Sequence, residues 1–224
     1  MPTIDEYFEK NGVVPKTVFD MTREQRVVSR LPTECGEEFY FEEYFKTDFD
    51  VLIDSVDIRA NKVLFDLVLA EARKFSDLFE PCCQSGIFGC YIALETGAAF
   101  KGMDLSRLAI EKARKRAELN RLPAEIFVEG DVLGYAGQHE AVVGRYVVNG
   151  QHHDINEDML AKVREISSNI VLVQPAQANL GMMGPRMYQR AFERLGFSFE
   201  VLGSSQRSAT GAMYFVVKAS KNST

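Results

Sequence analysis

Residues Leu78 to Gly89 read LFEPCCQSGIFG: a short apolar run ending in Glu80, a turn of small residues ending in Gly86, then an amphipathic stretch. Strand, small-residue turn and helix in that order bring backbone N–H groups close to a ligand at a helix N-terminus. Such a turn needs small side chains and at least one position that accepts positive φ. Cys82, Cys83, Ser85 and Gly86 meet that need. A dinucleotide fingerprint would place glycine where Cys82 and Gln84 stand, so a pyrophosphate has no obvious cradle and NAD is disfavoured.

Reading outward, FKGMD ends a second strand on Asp104, and EIFVEGD ends a third on Asp131. In a parallel sheet all carboxyl ends open on one rim, so Glu80, Asp104 and Asp131 are expected to converge on one crevice. A carboxylate on the second strand suits a ribose diol, because it accepts hydrogen bonds from both hydroxyls. Taken singly, each acid also reads as an ordinary strand-end turn residue.

The three strand ends together resemble the class I S-adenosylmethionine (SAM) methyltransferases, whose motif I has an acid ending strand 1 and a small-residue turn after it. The resemblance runs from about residue 76 to the end of the chain, and it implies SAM as cofactor. It assigns Asp104 to the ribose, Asp131 and Val132 to the adenine edge, and Glu80 with Gly86 to the methionine end, with Leu105 also against the cofactor. Cys82 and Gln84 fall at positions that touch cofactor in that family, and Arg145 would line the methyl pocket.

The order of elements agrees. Strands are expected at 77–80, 100–104, 125–130, 141–148, 170–174, 197–202 and 212–219, with helices at 87–96, 106–121, 155–168 and 184–195. The alternation predicts an α/β fold: a seven-stranded, mostly parallel, doubly wound sheet. The last two strands are joined by SSQRSATG without a helix, and so form an antiparallel C-terminal hairpin. That ending is also typical of the methyltransferase family.

Residues 1–75 differ in character and read as an N-terminal helical extension to a SAM-binding domain at 76–224. DEYFEKNG, TREQRVVSRL and the stretch from Asp57 to Phe75 read as helices. Between them, Glu34 to Asp57 carries nine acids against Lys46 alone, interleaved with Phe39, Tyr40, Phe41, Tyr44 and Phe45. This aromatic and acidic segment reads as a lid, a homodimer surface or part of the core. It would repel a polyanion. The basic helix from Ser106 to Leu122, with Arg107, Lys112, Arg114, Lys115, Arg116 and Arg121, reads as a solvated face rather than an RNA stripe.

Catalysis is expected at the end of strand 4, in AVVGRYVVNGQHHDINEDML. The NPPY motif of methylases acting on amino groups is absent there, and GRYV stands in its place. His152 and His153 are candidate bases, since a histidine titrates near working pH. The alternative is an exposed loop in which Asp154 or Asn156 caps the next helix. Tyr146 and Asn149 are candidates for the substrate pocket. Beyond strand 5, QPAQANLGMMGPRMYQ supplies Gln174 and Asn179, and Met182 and Met183 offer an adaptable apolar wall.

Composition bounds the rest. The chain has 224 residues and a formal net charge of −6, sized for one domain with an appendage. Cysteines at 35, 82, 83 and 90 make no CxxC pair, so neither a metal site nor a disulfide framework is expected. No apolar run approaches the roughly 18 to 20 residues needed to cross a bilayer, and MPTIDEYFEKNG is not a signal peptide. The expectation is a cytoplasmic methyltransferase for a small-molecule acceptor, with nucleic acid disfavoured as a partner. An RNA or protein methyltransferase and a non-catalytic SAM-binding or partner-binding module are the alternatives.

Overall fold

Strand β1 (Asp77–Pro81) is buried along almost its whole length, as an apolar run covered on both faces of a parallel sheet must be. The computed structural model describes residues 3–12, 62–145, 147–148, 155–176, 184–204 and 213–221. Around β1 lie β2 (Ala99–Asp104), β3 (Phe127–Glu129), β4 (Ala141–Arg145), β5 (Asn169–Ala176), β6 (Phe197–Ser204) and β7 (Met213–Lys221). The seven strands run in the order β3-β2-β1-β4-β5-β7-β6. Pairs among β1 to β5 are parallel, while β7 is antiparallel to both β5 and β6. The order reverses between β1 and β4, which is the switch point where open α/β sheets take their ligands.

Helices α1 (Ile4–Lys10), α2 (Lys62–Ala72), α3 (Ile87–Thr96) and α4 (Arg107–Leu119) pack on one face of the sheet. The other face takes α5 (Glu157–Ile166) and α6 (Pro185–Arg194). Strand β5 shows the division: Val171 and Val173 enter the first core, Ile170 and Leu172 the second. Local signals fix the helix starts. Ser106 accepts from Ala109 N–H (3.3 Å), Asn156 accepts from Met159 N–H (3.0 Å), and Pro185 opens α6.

Among the described residues the predicted strands and helices form, with shifted ends. The strand expected at 125–130 is three residues long, because Pro123 starts a 3-10 turn at Ala124–Ile126. The strand expected at 141–148 stops at Arg145: Val147 and Val148 are buried from a turn, and Val148 C=O accepts from Asn156 N–H (3.0 Å).

Helix α1 is closed by a reciprocal box. Thr3 Oγ1 accepts from Glu6 N–H (3.3 Å) and Glu6 Oε2 from Thr3 N–H (2.7 Å). Ile4, Tyr7 and Phe8 fall on one stripe and bury against Phe65, Phe88 and Tyr91. Burial of that kind contributes roughly 1.5–3 kcal/mol per large side chain, so α1 belongs to the first core. The helix expected at TREQRVVSRL and the aromatic, acidic segment read as lid or dimer surface lie outside the described residues.

Candidate functional site

Between β1 and α3 the chain turns through three left-handed residues: Cys82 (φ 55°), Gln84 (φ 50°) and Gly86 (φ 74°). Glycine adopts that conformation freely, whereas each L side chain held there costs about 1–2 kcal/mol. The backbone thus follows the path of a glycine-rich turn although two of the three residues carry side chains. Two close contacts fix the turn against its neighbours. A Cβ on Gly86 would lie 2.8 Å from Ala113 Cβ, and one on Gly89 would lie 2.3 Å from Glu80 Oε2 and 2.7 Å from Phe100 Cζ.

The turn is fastened to β2 through its acid. Asp104, 9% exposed, accepts from Gln84 N–H through Oδ2 (2.9 Å) and from Ser106 N–H through Oδ1 (3.0 Å), while Cys83 N–H donates to Met103 C=O (3.0 Å). Glu80 is 3% exposed below the turn, and Asp131 sits beyond β3, where Oδ1 accepts from Leu133 N–H (2.9 Å). The three acids do meet electrostatically. Burial pushes the Cys82 thiol up to about 12, and the charges of Asp104, Glu80 and Asp131 add to that rise. Burial likewise raises Cys83, and it raises Cys90 to about 12, so these thiols stay protonated at neutral pH. Leu105, 67% exposed, stands at the same rim, whereas the Val132 side chain is buried in the second core.

Behind the turn lies support that the sequence reading did not anticipate. Arg116 is buried and donates to Ser85 C=O, and Tyr7 Oη donates to Ile87 C=O (2.7 Å). Asn120 Nδ2 donates to Asn11 Oδ1 (2.8 Å), joining α4 to the end of α1. Arg116 was expected on a solvated face, and Arg114 too is engaged, donating from Nε to Phe127 C=O (3.0 Å). The signal was present: Ala109, Ala113, Arg116, Ala117 and Asn120 share one stripe of α4, and that stripe is buried.

Arg145 ends β4 opposite Val173 and is half-buried. Tyr146, Asn149, His152, His153, Met182 and Met183 lie outside the described residues. Gln174, expected at the start of a loop, lies within β5 and is fully buried. Among the described residues both its amide atoms lack a hydrogen-bond partner, as does Ser85 Oγ in the turn.

His139 accounts for the remaining histidine. Nδ1 meets Asp77 Oδ1 (2.9 Å) and Nε2 meets Tyr135 Oη (2.8 Å), and both Tyr135 and His139 stack on Phe79. Asp77 opens β1 and His139 precedes β4, so this trio clamps the amino ends of the strands, away from the turn. Among the described residues no group of His, Cys, Asp and Glu could hold a metal ion, and no helix is long and apolar enough to cross a membrane.

Comparison with solved structures places this architecture. The magnesium protoporphyrin IX methyltransferase of Synechocystis PCC 6803, crystallised with SAH, superposes with a TM-score of 0.61 at 16% identity, over 88% of this chain and 100% of that one. The fold is that of the SAM-dependent methyltransferases. A DhpI–SAH complex matches with a TM-score of 0.56 at 14% identity, over 84% of this chain and 96% of that one. A candidate RNA methyltransferase of Pyrococcus horikoshii matches with a TM-score of 0.54 at 13% identity, over 71% of this chain and 81% of that one. Among curated proteins, a candidate ribosomal RNA large subunit methyltransferase of Methanocaldococcus jannaschii is 28% identical over 102 residues, 45% of this chain. The match spans only 24% of that relative's length. No family model matches the chain.

Proposed function

We propose that the protein is a SAM-dependent methyltransferase acting on an O, N or S atom of a small-molecule acceptor, with 76–224 as the cofactor domain and 1–75 as its extension. The observation that carries this reading is the turn at Cys82–Gly86, which keeps a glycine-type path at three alternate positions and is fastened to the strand-2 acid.

The residues fit the cofactor. Asp104 accepts a backbone N–H at each oxygen, which fixes its carboxylate at the end of β2, where a ribose diol would meet an acceptor of two hydrogen bonds. Ser85 Oγ is buried in the turn without a partner among the described residues, a donor consistent with a ligand at this place. Leu105 and Asp131 would flank the adenine, Glu80 and Gly86 the methionine end. When bound, SAM supplies a methyl carbon on a positively charged sulfur, which an acceptor lone pair takes in one displacement, leaving a neutral thioether and releasing the acceptor's proton. The chain's own task is to hold and orient the partners out of water, and that accounts for most of the rate in such a transfer. Arg116 and Tyr7 serve it by fixing the turn from behind.

The M. jannaschii relative favours a second reading, an RNA methyltransferase. Against it stand the acidic rim and the use of Arg114 and Arg116 inside the fold, which removes two cations from the basic helix. Calorimetry with SAM and SAH tests the cofactor. Binding is expected, and silence would remove the methyltransferase reading. Asp104→Ala should lower SAM affinity at least about tenfold, and unchanged affinity would take Asp104 out of the site. A salt titration of RNA binding separates the acceptors: no affinity at low salt is expected, and a steep salt slope would favour RNA.

A further inference from the structure

The carboxyl rim of the sheet has a step in it. Strand β4 ends at Arg145 opposite Val173, but β5 continues through Gln174, Pro175 and Ala176, paired on its other side with Phe215, Tyr214 and Met213 of β7. Gln174 stands at the foot of that step, one residue past the last pair with β4. By the alternation of β5 its side chain shares the face of Ile170 and Leu172, above the second core and beside Phe215. The side chain is 0% exposed, and among the described residues neither Nε2 nor Oε1 has a hydrogen-bond partner.

A buried amide with neither end satisfied is a costly residue for this place, since an apolar side chain of the same length would fill the same volume. The described residues that flank it on this face, Leu172 and Phe215, are apolar, so packing against them gives no reason for an amide. Its position does give one. The cofactor groups Glu80, Asp104 and Asp131 stand over β1, β2 and β3, and Gln174 stands on the other side of the switch point, towards the carboxyl end of β5.

We infer that Gln174 is the recognition group for the methyl acceptor, and that the acceptor presents a hydrogen-bond donor beside an acceptor, the edge of an amide, lactam or amino-heterocycle. A primary amide offers one carbonyl oxygen and two N–H groups in a plane, and such an edge answers both at once. A site built on a hydrogen-bonding pair also rejects analogues that lack the pair far more strongly than an apolar wall could.

The inference rests on the methyltransferase reading, and its test separates the two. Gln174→Met keeps the volume and removes the unmet amide. Its melting temperature should rise by about 3 to 8 °C over the wild type. SAM binding by calorimetry should be unchanged, because Gln174 lies outside the cofactor half. In saturation-transfer NMR with SAH present, 2-pyridone, nicotinamide and benzamide serve as probes, with benzoate and toluene as charged and apolar controls. At least one amide probe should bind the wild type and weaken tenfold or more in the variant, and neither control should bind better than the amides. A fall in melting temperature would mean that the amide is already satisfied, and it would overturn the proposal. So would amide probes that fail to bind, or that bind both proteins equally. A wild type that does not bind SAM would instead remove the underlying reading while leaving the thermal result to stand on its own.

Discussion

The two halves of the sheet treat their polar groups differently. In the half made by β1, β2 and β3, the protein answers its own rim. Asp104 holds two backbone N–H groups, Asp131 caps Leu133, Arg116 reaches Ser85 C=O and Tyr7 reaches Ile87 C=O. In the half made by β4, β5, β7 and β6, the amide of Gln174 is buried with no hydrogen-bond partner among the described residues. The first half is preorganised before any ligand arrives, so binding there need not pay to order the loop. The second half holds back a hydrogen-bonding group and forgoes stability to do so, as functional sites commonly do.

The largest effect should come from breaking the preorganised half at Gly86. Gly86→Ala puts a Cβ 2.8 Å from Ala113 Cβ and forces a side chain into φ 74°. Left-handed strain of about 1–2 kcal/mol adds to overpacking of about 1–3 kcal/mol, a loss of roughly 2–5 kcal/mol in urea unfolding. SAM binding should vanish with it. A variant that unfolds like the wild type would show that α4 yields to the turn, and the contrast between a rigid and an unfilled half would fail.

The other half can be probed through its clamp to α2. Glu71 is buried between Lys74 Nζ (2.5 Å) and Lys218 Nζ of β7 (2.8 Å). Burial alone would raise its pKa, but the two lysines outweigh that and hold it below the usual value of 4.5. A carboxylate with a depressed folded pKa adds stability above its unfolded value and loses it as pH falls through the folded one. Wild type should therefore lose stability below about pH 4.5 relative to Glu71→Gln, which should be about 1 kcal/mol weaker at neutral pH and flat across that window. Parallel curves for the two proteins would remove the clamp from the account of this half.

The same division explains what the sequence could show. The preorganised half is written in short-range signals: an acid at each strand end, small residues in one turn, and a serine cap at the start of α4. Those set Glu80, Asp104, Asp131 and all seven strands close to where they stand. The supports behind the turn join residues far apart in the chain, Tyr7 to Ile87 and Asn11 to Asn120, and no local pattern encodes such a pair. Arg116 was concealed by its type, since an arginine among lysines reads as solvent-facing until the alanine stripe on either side of it is followed. Gln174 was expected at the end of its strand, but β5 runs on to Ala176, because β7 goes on pairing with it past the end of β4.

The smallest effect expected is also the one that tests whether the turn is a cofactor turn at all. Gln84 holds φ 50° with a side chain attached, and its N–H is spent on Asp104. Gln84→Gly removes left-handed strain of about 1–2 kcal/mol and adds back roughly 0.5–1 kcal/mol of chain entropy in the unfolded state. The net should be a gain of about 0.5–1 kcal/mol in urea unfolding. If Gln84 is only a filler, SAM affinity should rise or hold, since the backbone path and the bond to Asp104 survive while the crevice widens. If affinity falls while stability rises, the Gln84 side chain itself touches the ligand. The departure from glycine is then an adaptation of this half to what it binds, not a defect in it.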